Sequence, residues 1–224
     1  MTNIAFIPVR GGSKSIPLKN IKLLAGFPLV YWVAKAANNA KCIDKVIIAT
    51  DSDDIREVVK KFDLEKVELY DRDSENAQDT STTVSVILEY LNKANLNDND
   101  NFFLIQATSP LLKSKHIEEM YEKLLNEGKD SALSCVRNKR FYWSEDGVPL
   151  NYDYKNRPRR QDFKGLMMEN GACYINKVKN ILRDKNNLSG KISVYEMPEY
   201  TSIEIDEPDD FLLIEKLMER HQND

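Results

Sequence analysis

Short apolar runs alternate along the chain with longer segments in which apolar residues recur every three or four positions. The runs predict buried strands and the longer segments predict amphipathic helices. The predicted strands cover residues 4–9, 45–50, 67–70, 101–105, 131–136, 171–176, 192–195 and 202–205. The predicted helices cover residues 28–40, 53–62, 82–91, 115–125, 178–182 and 208–220. This alternation predicts an α/β fold with a mostly parallel sheet and helices on both faces.

The alternation breaks at residues 137–164, which are rich in Tyr, Asn, Pro and Arg. This segment holds eight basic and four acidic residues, and Asp146-Gly147 is a turn signal. We expect a hairpin or arm that leaves the main layer. The chain has no internal repeat and no low-complexity linker, so one domain over residues 1–224 is expected.

Composition narrows the possible partners. The 224 residues are 42% hydrophobic and 30% charged, which is typical of a soluble globular protein. The net charge of −4 argues against a nucleic-acid binder. No apolar run approaches the ~20 residues that cross a bilayer, and the start lacks the basic region of a signal peptide. Three widely spaced cysteines are expected to be reduced, and the predicted location is the cytoplasm.

The charge is unevenly distributed. The residues before Asp44 carry +6, and the rest of the chain carries −10. In the basic part, the first strand leads into Arg10, two adjacent glycines and Lys14, with Lys19 beyond. Glycines let the backbone approach a ligand, and N–H groups with cations suit phosphate. The loop is neither a P-loop nor a dinucleotide fingerprint. The alternative is a basic surface turn.

Polar residues also mark the starts and ends of later elements. Arg72, Ser81 and Thr83 precede or open a predicted helix, where a nucleotide contact and an ordinary N-cap by Asp79 or Ser81 are both open interpretations. Gln106 ends a buried strand, where open α/β sheets place ligands. Its amide suits a polyhydroxylated, N-acylated substrate, and the alternative is a polar strand end.

Two further groups could bind a carboxylate or a metal. Arg159 and Arg160 lie on the predicted arm, and an arginine fork suits a carboxylate; a solvated hairpin or a dimer contact is the alternative. Glu204 and Asp206 are two residues apart on a predicted strand, so their side chains share a face. Two such carboxylates suit Mg²⁺, although an acidic strand end that caps the next helix is also possible.

Six motifs, in order over about 200 residues, resemble those of the cytidylyltransferases that activate sialic acid and related nine-carbon 2-keto sugar acids. They are IPVRGGSKSIPLKN at 7–20, DSD at 51–53, Arg72 with DTSTT at 79–83, QATSP at 106–110, RPRRQD at 157–162 with ENG at 169–171 in the arm, and IEIDEPDD at 203–210.

The resemblance implies a Rossmann-like nucleotide-diphospho-sugar transferase sheet with a dimerisation arm. It implies transfer of CMP from CTP to the anomeric hydroxyl of the sugar acid, with Mg²⁺ (or Mn²⁺) as cofactor. It assigns the nucleotide to Arg10, Gly11, Gly12, Ser13, Lys14, Lys19, Asn20, Arg72, Ser81 and Thr83. It assigns the sugar acid to Gln106, Arg159, Arg160 and Gln161, the metal to Asp206 and Glu204, and catalysis to Arg10, Lys19, Arg159 and Arg160.

The family places the arm in the neighbouring subunit's site, so a homodimer with arm residues acting in trans is expected. Aromatic residues of the arm are expected to pack an interface rather than line a sugar site: Tyr142, Trp143, Tyr152, Tyr154 and Phe163. Many bacterial relatives have an arginine where this chain has Leu112, and Lys113 is a possible substitute. The alternatives are an enzyme for the eight-carbon acid Kdo and a nucleotide-binding regulator without turnover.

Overall fold

The computed structural model describes residues 1–12, 15–78 and 81–221. The strands are β1 (Asn3–Pro8), β2 (Leu23–Leu24), β3 (Phe27–Pro28), β4 (Lys45–Thr50), β5 (Val67–Asp71), β6 (Asn101–Ile105), β7 (Ser131–Asn138), β8 (Leu166–Lys177) and β9 (Ile192–Met197). The helices are α1 (Leu29–Asn39), α2 (Asp53–Val59), α3 (Thr83–Lys93), α4 (Ser114–Glu127), α5 (Val178–Asp184) and α6 (Pro208–Arg220).

Seven strands form the main sheet in the order β5-β4-β1-β6-β8-β7-β9. The strand β8 runs antiparallel to both neighbours, and the other pairs in the sheet are parallel. In the centre, Ala5 of β1 lies opposite Val46 of β4 and Phe103 of β6. The prediction of a mostly parallel α/β sheet is confirmed.

Alternate residues of the central strands supply two separate cores, one on each face. Ile7, Val46 and Phe103 pack with α1, α2 and α4. Ile4, Phe6 and their neighbours pack with α3 and α5 on the other face. All of these strand residues are essentially inaccessible to solvent, which explains why the strands read as continuous apolar runs. Among the described residues, no helix combines the length and apolarity needed to cross a bilayer.

A third cluster joins α6 to the loop after β1 and corrects one prediction. Ile205, Phe211 and Ile214 are buried in it, whereas Leu212 of α6 is 68% exposed. The predicted strand at 202–205 does not form. A 3₁₀ turn at Glu199–Ser202 precedes an irregular segment, in which the Ile205 N–H donates to the Thr108 carbonyl at 2.9 Å. The alternating isoleucines there pack against α6 instead of forming a ladder.

The predicted arm leaves the sheet between β7 and β8. Its described residues contain one isolated β-bridge, between Trp143 and Pro149, and its rings pack on one another. The Phe141 ring lies 4.2 Å from that of Tyr152 and 4.8 Å from that of Phe163. Glu169, Asn170 and Gly171, grouped with the arm by resemblance, instead lie within β8 of the main sheet.

Candidate active site

A cavity of about 310 Å³ opens at the carboxyl ends of β1 and β6, beside the start of α3. This is the edge where an open α/β sheet places its ligands. Its lining includes eight of the predicted site residues, namely Arg10, Gly12, Lys19, Asn20, Arg72, Ser81, Thr83 and Gln106. It also includes Pro8, Thr82, Val86, Ala107 and Thr108, which the sequence did not single out as ligands. Ser13 and Lys14 lie outside the described residues.

The glycine-containing loop is tied to the sheet at two places. The Asn20 side-chain amide donates to the Arg10 carbonyl at 3.1 Å, which closes the loop on itself. The Gly11 N–H donates to Asp51 Oδ1 at 3.1 Å, so it is committed to a carboxylate and does not face a phosphate as predicted. A Cβ on Gly11 would lie 2.8 Å from the Cβ of Ser52, the N-cap of α2. Gly11 therefore permits close packing, and Gly12 lines the cavity.

Arg72 is a cationic residue of the cavity whose guanidinium makes only some of its possible hydrogen bonds. Its backbone N–H donates to the Thr50 carbonyl at 3.1 Å, and its guanidinium donates to the Asn76 carbonyl. Its Nε is buried and has no hydrogen-bond partner among the described residues. Burial lowers the pKa of Arg72 and the nearby Arg10 charge lowers it further, against the opposing effect of Asp51 and Glu89. An anion in the cavity would relieve both costs.

The start of α3 forms one wall of the cavity. The N-cap is Thr82, whose hydroxyl accepts from the Ser85 N–H at 3.1 Å. The cap is therefore not Ser81, and the other suggested cap, Asp79, lies outside the described residues. Ser81 donates to the Glu75 carbonyl at 3.1 Å, and Thr83 is the first helical residue. Both line the cavity at a helix end that favours anions.

The segment after β6 lies between this cavity and a second one, which Leu112, Lys113 and residues of α6 line. Gln106 and Thr108 line the first cavity. Leu112 is buried in the core, and Lys113 Nζ donates to the His221 carbonyl at 2.7 Å on the other side. Lys113 is not among the residues lining the first cavity, so it does not take the place of the arginine of bacterial relatives there.

Glu204 and Asp206 form an acidic rim: they do not line the cavity themselves, but each contacts a residue that does. Lys19 Nζ donates to the Ile205 carbonyl at 2.7 Å and to Asp206 Oδ1 at 3.3 Å. Thr108 donates to Glu204 Oε2 at 3.4 Å. Burial raises the pKa of Glu204, and the neighbouring Asp206 charge adds to the shift. Gly171, at φ 66°, makes room for this side chain, because a Cβ there would lie 2.8 Å from Glu204 Oε1.

This pair fits a divalent cation that shares its coordination with a ligand. The Lys19 charge does not cancel the effects of burial and of the second carboxylate, because the pKa of Glu204 is still raised. Mg²⁺ is commonly bound by one or two carboxylates plus phosphate oxygens. Among the described residues, no group of three or more acidic, histidine or cysteine side chains is placed to hold a metal. A metal held by Glu204 and Asp206 therefore needs oxygen ligands from the nucleotide or water.

The arm residues of the same chain are not part of this cavity. Arg159, Arg160 and Gln161 are exposed. Arg159 Nε pairs with Asp162 at 2.8 Å, and Arg160 pairs with Glu199 at 3.4 Å. No ligand role for these three side chains follows from the geometry of one chain.

The chain is similar to known proteins over most of its length. Residues 4–224 match the family model described as cytidylyltransferase. The chain is 43% identical over 211 residues to an N-acylneuraminate cytidylyltransferase of Oncorhynchus mykiss, covering 90% of this chain and 47% of that protein. It is 31% identical over 220 residues to one of Streptococcus agalactiae, covering 95% and 52%. The chain thus spans about half the length of the curated relatives it matches.

Solved structures show the same fold at low identity. A CMP:2-keto-3-deoxy-manno-octonic acid synthetase complexed with CTP matches with a TM-score of 0.71 at 16% identity, covering 99% of this chain and 100% of that one. A 4-diphosphocytidyl-2C-methyl-D-erythritol synthase gives 0.71 at 13% identity, with 97% and 98% covered. The sheet is therefore of the Rossmann-like nucleotidyltransferase type. With the family model matched over nearly all of its length, the chain belongs to the cytidylyltransferase family.

Proposed function

We propose that this protein transfers CMP from CTP to the anomeric hydroxyl of a nine-carbon 2-keto sugar acid of the sialic acid type, with release of pyrophosphate. The observation that carries the proposal is the cavity lined by Arg10, Lys19 and Arg72, in which the buried Nε of Arg72 has no hydrogen-bond partner among the described residues. The choice of sugar acid is supported by the similarity of the chain to N-acylneuraminate cytidylyltransferases.

In this reaction the anomeric oxygen forms a bond to the α-phosphorus, and the bond from that phosphorus to the bridging oxygen breaks. Such chemistry depends mainly on positioning and charge neutralisation. We assign Arg10, Lys19 and Arg72 to the phosphates, and the Gly12 backbone with Ser81 and Thr83 to further hydrogen bonds. We assign Asn20, which is 9% exposed and bonded to the Arg10 carbonyl, to the ribose or base.

Gln106 and Thr108 are assigned to the sugar acid, because they follow β6 on the side of the cavity nearest the acidic rim. Glu204 and Asp206 would hold Mg²⁺ or Mn²⁺. When bound, the ion supplies positive charge to the phosphate oxygens. Lys19, which already pairs with Asp206, links this rim to the nucleotide loop.

The remaining parts of the proposal concern the assembly, the domain organisation and the location of the protein. Arg159, Arg160 and Gln161 would bind the sugar carboxylate in the cavity of a second copy, since their exposure leaves them accessible to it. We also propose that residues 1–224 act as one catalytic domain, supported by the single main sheet. Three unpaired cysteines support a cytoplasmic location.

The test is pyrophosphate release with CTP, Mg²⁺ and a panel of 2-keto sugar acids, with each product identified by mass. We expect a CMP adduct with a nine-carbon acid. A faster rate with the eight-carbon acid would replace the proposed acceptor with that of the alternative enzyme. Measurable CTP binding without pyrophosphate from any acid would favour the regulator.

A further inference from the structure

Glu89 is a buried carboxylate on α3 for which the proposed reaction has no direct use. Its side chain is 4% exposed. Oε1 accepts from the Tyr70 hydroxyl at 2.7 Å and from the Asp73 N–H at 2.9 Å. Oε2 accepts from the Asn76 side-chain amide at 2.7 Å, and Lys93 Nζ lies 3.4 Å from Oε1. Both oxygens are therefore committed to groups on β5, on the turn that follows it and on α3 itself.

The carboxylate is held in its charged form. Burial pushes the pKa of Glu89 up, but the hydrogen bonds from Tyr70, Asp73 and Asn76 outweigh burial, so that its pKa lies below the usual value. An ionised group at this position acts on its surroundings through both hydrogen bonds and charge.

Two partners of Glu89, Asp73 and Asn76, lie on a turn, residues 72–76, whose first residue, Arg72, lines the cavity. Asn76, whose amide is bound by Glu89, offers its carbonyl to the guanidinium of Arg72. Glu75, its neighbour, offers its carbonyl to the Ser81 hydroxyl at 3.1 Å. Glu89 thus connects to two cavity residues through one intervening peptide segment.

Charge gives a second connection. The Glu89 carboxylate favours the charged form of Arg72, against the burial and the Arg10 charge that disfavour it. Without the Glu89 carboxylate, the charged guanidinium of Arg72 would be less stable in its half-buried position beside Arg10. The position of Arg72 therefore depends on the groups behind the turn as well as on a ligand in the cavity.

We propose that Glu89 is a positioning residue for the nucleotide: it fixes the 72–76 turn so that Arg72 and Ser81 are oriented towards CTP before CTP binds. This inference rests on the proposed function, because it takes the cavity as the CTP site. It assigns Glu89 no contact with substrate. Its effect is on CTP rather than on the sugar acid, since the residues that the turn holds, Arg72 and Ser81, are assigned to the nucleotide.

The experiment compares Glu89→Gln and Asn76→Ala with the unaltered protein. Glutamine keeps the shape but removes the charge, and Asn76→Ala removes one bond at a partly exposed position. We expect the KM for CTP, and the Kd for CTP by calorimetry, to rise about tenfold in Glu89→Gln, the size of one charge-assisted hydrogen bond. The rise should be smaller in Asn76→Ala. The KM for the sugar acid should stay the same in both variants.

Two controls separate positioning from general stability. Glu127→Gln removes another carboxylate of three partners, bound to Lys123, Lys129 and Ser193 near the start of β9, away from the cavity edge. It should lower the melting temperature and leave the KM for CTP unchanged. In an Arg72→Ala background, Glu89→Gln should weaken CTP binding less than it does alone, because only its effect through Ser81 remains.

An unchanged KM and Kd for CTP in Glu89→Gln would overturn the inference, as would fully multiplicative losses in the double variant. Failure of the proposed function is a different result: the unaltered protein would then release no pyrophosphate with any sugar acid. CTP calorimetry tests the role of Glu89 in either case.

Discussion

At the scale of single residues, the placement of Glu204 depends on the absence of a side chain at Gly171. The residue adopts φ 66°, and a Cβ would lie 2.8 Å from Glu204 Oε1 and 3.3 Å from its Cδ. The carboxylate cannot stay where it is if any side chain is added. The proposed metal ligand is thus positioned by a glycine more than thirty residues earlier in the chain.

We expect Gly171→Ala to lower turnover by ~10- to 100-fold, the effect of displacing a group at a reacting centre by about 1 Å. The concentration of Mg²⁺ needed for half-maximal rate should rise, whereas CTP affinity without metal should not change. The measurements are pyrophosphate release against Mg²⁺ concentration and calorimetry with EDTA.

The matched control is Gly128→Ala. Gly128 adopts a similar φ of 59° at the end of α4, but nothing lies within 4 Å of an added Cβ. Both variants incur the left-handed strain of about 1–2 kcal/mol, and both should melt earlier. Equal turnover in the two variants would show that strain, and not the displacement of Glu204, determines the rate.

At the scale of elements, the first turn of α4 is a site of pH dependence. The Lys113 N–H donates to His116 Nδ1 at 3.2 Å, so this nitrogen must be unprotonated. Burial, with a smaller contribution from the Lys113 charge, lowers the pKa of His116 from 6.5 to about 4. Between these two values the unfolded chain takes up a proton that the folded chain excludes. Stability should therefore fall as the pH falls through this range.

We expect His116→Gln, which retains an acceptor at this capping position, to lose less stability on acidification than the unaltered protein. Between about pH 7 and about pH 5 the difference should be about 2 kcal/mol, measured by urea unfolding at each pH. Identical pH dependence in the two proteins would mean that His116 is protonated in the folded state.

Predictability differs among the elements for physical reasons. The strands at Lys45–Thr50 and Asn101–Ile105 and the helix at Pro208–Arg220 were predicted with their observed bounds, because burial on both faces or on one stripe leaves a clear pattern. The segment at 203–205 has the alternation of a strand, but its isoleucines pack against α6 and no ladder forms. The local pattern of alternating residues is the same for a strand in a sheet and for an irregular segment that packs against a helix.

The same holds for the site. The glycine loop, Arg72 and Gln106 could be predicted because they follow strands, whose carboxyl ends meet at one edge. The roles of Gly11, Glu89 and Gly171 depend on contacts between residues distant in sequence. Such approaches leave no local signal.

At the scale of the whole molecule, the proposed sharing of the arm between two copies makes a quantitative prediction. Arg10→Ala should disable a cavity, and Arg160→Ala should disable an arm, so each variant alone should be nearly inactive. In a mixed dimer, the Arg160→Ala subunit has an intact cavity and the Arg10→Ala subunit has an intact arm. Together these two parts form one complete site. Co-refolding equal amounts should restore about a quarter of the normal rate if a twofold dimer mixes at random.

The readout is pyrophosphate release from the mixture compared with each variant alone. An inactive mixture, with mixed dimers confirmed by mass, would contradict action in trans. Arg183→Ala is a suitable control partner, because this exposed arginine pairs only with Asp184 among the described ion pairs. In a mixture with the Arg10→Ala variant, each Arg183→Ala subunit should keep its normal activity.

The reversed direction of β8 affects how the protein can change over evolutionary time. A parallel return from β7 would need a crossover to the far edge of the sheet. Because β8 is antiparallel, the arm starts and finishes at the edge that holds the cavity, and Asn138 pairs directly with Leu166. Insertions and deletions between these two residues leave the register of the sheet unchanged. The arm proposed to bind the sugar acid can therefore change in length and sequence while the sheet that carries the cavity keeps its register.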